Sequence, residues 1–136
     1  MALARTANGK KTTSLMRYRC LLKSYDLHYV WGLLFVFSIE NTQDVVREEI
    51  ITSKNVNDDE ELSQLFGLLI RPDFLCHSSK EQILLIDTLA YFLECDDSFD
   101  RVFLNLDTYF DQKVEDQRRF MRVLLASLMK YRAEAS

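Results

Sequence analysis

A chain of 136 residues with one proline and three glycines has little with which to make tight turns. Small β-sandwiches and barrels reverse direction at short intervals and rely on such residues to do it. Helices need fewer reversals, so scarce punctuation predicts an all-α fold. The length suits one domain that buries its own core without a disulfide or metal. A hydrophobic fraction of 48% with 28% charged residues is that of a folded domain rather than a disordered one.

Apolar spacing then divides the chain. Residues 1–13 have no periodicity and read as a flexible tail, leaving 14–136 as a single helical domain. Leu15, Tyr18, Leu22 and Tyr25 form a helical stripe, yet Met16, Tyr18, Cys20 and Leu22 alternate as in a strand. Strand formers such as Tyr29, Val30, Trp31 and Phe35 follow, so residues 15–39 fit either helix or β-hairpin. Asn41 can cap a short, peripheral helix over 42–53. After a loop at 55–57, Asp58, Asp59, Glu60 and Glu61 occupy the first turn of a helix, where carboxylates oppose the positive end of its dipole. Leu62, Leu65, Phe66 and Leu69 give that helix a buried stripe, and Pro72 ends it by disfavouring helical geometry at Arg71.

Ser78 or Ser79 with Glu81 or Gln82 makes a capping box for a helix over 80–94. Apolar positions cover half its circumference, which predicts the central helix of the fold. Asp96 or Asp97 is expected to cap a further helix with the stripe Phe99, Val102, Phe103, Leu106, Tyr109 and Phe110. The last helix, over 114–132, aligns Phe120, Met121, Leu124, Leu125, Leu128 and Tyr131, with Arg118, Arg119 and Arg122 opposite. The whole reads as about five to six helices packed as antiparallel hairpins, in a bundle or a short helical-repeat-like stack.

Charge is arranged in three blocks. Residues 1–25 carry +6 with no acid, 26–116 carry −14, and 117–136 carry +4, for a net charge of −4. Such asymmetry bears on association rather than on chemistry. The cysteines Cys20, Cys76 and Cys95 are odd in number and widely spaced, which predicts no disulfide framework and a cytoplasmic protein. The acid-free N-terminus also has the composition of an organelle transit peptide, so organelle targeting stays open beside it. The longest apolar run, 27–37, is too short to span a bilayer, and no membrane association is expected.

Motifs for chemistry are sparse. The segment from Asp96 to Asp107 has oxygen ligands at the first, third, fifth and twelfth positions of a calcium loop, but Arg101 stands where that loop needs glycine. Helix capping accounts for the same acids. Cys76, His77, Cys95 and His28 lack paired metal-ligand spacing, and neither a nucleophile elbow nor a phosphate-cradling glycine loop occurs. No catalytic residue, metal or cofactor is therefore assigned, and the chain is expected not to be an enzyme.

What remains is a non-catalytic protein-binding module with a charge-patterned surface, pairing with a different protein. One version is an acidic inhibitor of immunity-protein type, covering the phosphate-binding site of a basic toxin or nuclease; another is an adaptor domain. Candidate partner-binding residues are the acids Asp58, Asp59, Glu60 and Glu61 and the bases Arg17, Arg19, Lys23, Arg118, Arg119 and Arg122. Arg118 and Arg119 have acids Glu115 and Asp116 within helical reach, whereas Arg122 has none. The alternative is nucleic-acid binding by the basic N- and C-terminal segments, with Arg17, Tyr18 and Arg19 interleaving charge and aromatic surface.

Overall fold

The computed structural model describes residues 25–41 and 45–135. The expected tail over 1–13 and the bases Arg17, Arg19 and Lys23 lie outside the described residues. The described chain forms α1 (His28–Leu34), a 3-10 turn (Phe35–Phe37), α2 (Val45–Thr52), α3 (Asp59–Leu69), α4 (Arg71–Cys76), α5 (Ser79–Glu94), α6 (Asp100–Phe103) and α7 (Gln117–Ala135). The fold is all-α: among the described residues there is no strand, and the part of the 15–39 segment within them is helical. The strand formers there serve burial instead, with Val30, Leu33, Leu34 and Phe37 all inside the core.

The central helix is α7, not the 80–94 helix. It packs along α3, α5 and α4, and Phe120, Met121, Leu124 and Leu128 are fully buried against them. Phe120 meets the rings of Phe66 at 5.3 Å and Phe103 at 5.2 Å edge-on, with Phe110 tilted at 5.9 Å. Phe37 closes this cluster against Phe110 at 5.2 Å and Phe66 at 6.2 Å. Edge-to-face and tilted rings at these separations place positive edges against negative faces, a gain beyond area burial. In α5 the wide apolar arc overstates burial, because Ile83 is exposed while Gln82 and Thr88 are buried. Both polar side chains are satisfied: Gln82 Nε2 donates to Phe74 O and His77 O, and Thr88 Oγ1 donates to Leu84 O.

Two boundaries differ from the sequence expectation. Pro72 does not end helical geometry at Arg71; α3 stops at Leu69, Ile70 serves both helices as a cap, and Pro72 lies in the first turn of α4. A proline there removes an N–H that has no helical partner anyway. The helix expected after Asp97 is a single turn, α6. Asp97 Oδ1 accepts the N–H of Phe99, which takes the left-handed conformation. Asn105 Nδ2 donates to Arg101 O, offering the backbone an alternative to continuing the helix, and Asn105 O accepts the Trp31 indole N–H. Beyond it the chain is extended and pairs with the segment after the 3-10 turn: Ile39 N donates to Asp107 O and Tyr109 N to Phe37 O. Phe103 and Phe110 thus reach Phe120 without sharing a helix.

Cys76 is an exposed free thiol. No helix among the described residues is long and apolar enough to cross a membrane.

Because Phe120 joins four elements, Phe120→Ala is expected to destabilise the protein by about 3–5 kcal/mol. Leu104→Ala, at a side chain 81% exposed, is expected to stay within about 0.5 kcal/mol. Urea denaturation followed by circular dichroism measures both.

Candidate groove between α1, α4 and α5

Most of the described charged residues singled out in the sequence have partners within the fold. Asp58 caps α3 by accepting Glu60 N, and Glu61 Oε1 accepts Asn55 N. Asp59 pairs with Arg119, whose second amino group donates to Val56 O at 2.8 Å. Arg118 donates to Leu93 O and Asp97 O, both at 2.9 Å, and lies 3.7 Å from Asp96. A guanidinium placed there satisfies carbonyls at the C-terminal end of α5 and complements its dipole. Neither arginine uses the local acids Glu115 and Asp116 for its side chain; both brace α7 against distant turns. Glu60 and Arg122 remain as exposed members of the set, and among the described residues Arg122 makes no hydrogen bond or ion pair. The structure does not gather the described candidates into one outward face.

A different feature is open to solvent. Between α1, α4 and α5 lies a groove of about 420 Å³. Leu33 and Leu85, both buried, and half-buried Leu84 supply its apolar wall. Tyr29, 52% exposed, stands at its edge with His28. Gly32 faces the open space of the groove: a Cβ at that position would meet nothing within 4 Å.

The polar side of the groove is held by the α4–α5 junction. Ser78 Oγ accepts Glu81 N and Glu81 Oε1 accepts Ser78 N, a capping box. Hydrogen bonding to the Ser78 backbone, and then to its hydroxyl, holds the Glu81 carboxyl below its ordinary pKa, so it stays anionic. His77 lies between two carboxylates, with Nδ1 3.5 Å from Glu81 Oε1 and Nε2 4.0 Å from Asp73 Oδ2. Behind this rim Gln82 satisfies the last carbonyls of α4, and Arg132 donates to Gln82 Oε1 and Ser79 Oγ, both at 3.0 Å. The rim is therefore tied to α7. Gln82 reads in the sequence as a capping-box candidate rather than a buried brace, and Asp73 carries no signal there; Glu81 and both histidines are visible, but not their convergence.

Chemically the groove offers an apolar wall, a half-exposed tyrosine and two carboxylates. Ser78 Oγ, the hydroxyl next to His77, accepts Glu81 N as the cap of α5. A neighbouring hollow of about 360 Å³ shares His28 but is lined by groups with internal partners, Trp31 bonded to Asn105 and Arg101 paired with Asp97. Among the described residues no cluster of three or more His, Cys, Asp or Glu could hold a metal ion. Comparison with protein-family models, curated proteins and solved structures found no match.

Two expectations follow. Arg119→Ala should cost about 1.5–3 kcal/mol, the range for hydrogen bonds to a charged group, and Arg122→Ala less than about 0.5 kcal/mol, read as shifts in urea midpoint. The Glu81 cap should be fully present above the ordinary Glu pKa and be lost as pH falls through its lowered folded value. Glu81→Gln, which mimics the protonated carboxyl, should therefore flatten the acid limb of the stability–pH curve by lowering stability at neutral pH toward its acid value.

Proposed function

We propose that this chain is a non-catalytic helical protein-binding module whose docking surface is the groove between α1, α4 and α5. The observation that carries the reading is the groove itself, with Leu33, Leu84 and Leu85 as an apolar wall and a polar rim braced from behind by Arg132. Grooves of this size, mostly apolar with a few oriented polar groups, are the usual form of a recognition site. Tyr29 is the side-chain type enriched at the energetic centre of interfaces. Both an inhibitor of immunity-protein type and an adaptor domain would act through such a surface, by occupying or holding a partner segment rather than transforming it. Nucleic-acid binding draws less support, because Arg118 and Arg119 are spent on bracing α7.

Gly32→Leu separates binding from folding. Its side chain would enter open space in the groove, and replacing glycine in a helix interior should stabilise the protein by about 0.5–1 kcal/mol. The expected outcome is a thermal midpoint equal to or above that of the parent, with loss of proteins that the parent captures from native extract at low salt. A captured set identical for parent and variant would contradict the groove as the docking surface.

A further inference from the structure

We infer that the groove receives a helical segment of a partner protein bearing an apolar anchor flanked by Lys or Arg. The inference rests on the docking reading above and adds the sign and shape of the occupant. Asp73 and Glu81 line the groove, and among the described residues no Lys or Arg does. His77 and the capping box engage Asp73 Oδ2 and Glu81 Oε1, leaving Asp73 Oδ1 and Glu81 Oε2 as acceptors for an incoming cation.

Glu81 is fixed in place by its cap, so pairing with it would cost less side-chain entropy than pairing with a freely rotating carboxylate. The exposed face of Tyr29 offers a second contact for a cation, over an aromatic ring. An acidic peptide or a phosphate backbone would instead meet the like charge of Asp73 and Glu81, with no Lys or Arg among the described lining residues to offset it. Among the described residues there is no strand whose free edge could accept an extended peptide. The apolar wall of Leu33, Leu84 and Leu85, with open space over Gly32, matches a helix laying anchors at i, i+3 and i+4 into a groove.

The test uses the full chain, isotope-labelled for amide NMR, and two synthetic amphipathic helical peptides. Both share one leucine frame at helical spacing, and their flanking positions are all Lys in one and all Glu in the other. The Lys peptide is expected to shift the amides of His28, Gly32 and Leu84. Asp73→Asn and Glu81→Gln should each weaken its affinity about two- to fivefold, the range of a surface ion pair. Gly32→Leu should abolish the shifts. Equal or tighter binding of the Glu peptide at the same amides would overturn the inferred sign while leaving groove docking standing. Absence of shifts at these amides with either peptide at about 1 mM, an affinity weaker than about 4 kcal/mol, would overturn both. A single-stranded RNA oligonucleotide that shifts the same amides would overturn the protein-segment reading.

Discussion

The structure depends on what α7 does with its two sides. Its apolar stripe sends Phe120 into a ring cluster drawn from α3, α6, the 3-10 turn and the extended segment after α6. Its arginines reach the other way, Arg118 to the turn closing α5 and Arg119 to the turn opening α3. Near the opposite end Arg132 bonds the first turn of α5. Side chains anchored at both ends of one helix fix α3 and α5 on it, so α1 and α4 meet α5 at a defined spacing. The groove is a consequence of that spacing.

Charge in this protein consequently has two jobs that the linear sequence does not separate. Asp58, Asp59 and Glu61 look like a free acidic patch, yet each is paired with a backbone N–H or a guanidinium. Such pairing lowers the cost of leaving helix-end groups unmatched, and it removes those residues from the set available to a partner. Asp73 and Glu81 are held differently. Their internal contacts are to a neighbouring histidine and a cap, which orient the carboxylates while leaving an oxygen of each available. Orientation without neutralisation is what a recognition surface requires.

Much of the fold was legible in the sequence where local rules act alone. The Ser78–Glu81 capping box, the acidic first turn at Asp59 to Glu61 and the buried stripe from Phe120 to Tyr131 all follow from spacing and side-chain chemistry within a few residues, although Asp58, read as part of that turn, is its cap. What escaped depends on contacts distant in sequence. Phe99 to Phe110 has helical spacing, but pairing of Asp107 and Tyr109 with the 37–39 segment pulls it extended. The partners of Arg118 and Arg119 are 21 to 63 residues away, so local acids at helical spacing pointed to the wrong contacts. The groove was the least legible, since it depends on how α1, α4 and α5, distant in sequence, are spaced in the fold.

The most direct test is a thiol-protection measurement on the partner complex. In a Cys76→Ser background, Gly32→Cys and Arg122→Cys place one new thiol in the groove and one on the exposed basic face of α7. Saturation with the captured partner is expected to slow alkylation at position 32 by at least about tenfold, the population effect of occupancy above about 90%. Alkylation at position 122 is expected to continue at its free rate. Protection at position 122 with none at position 32 would contradict the account, placing the partner on the basic face and leaving the groove empty.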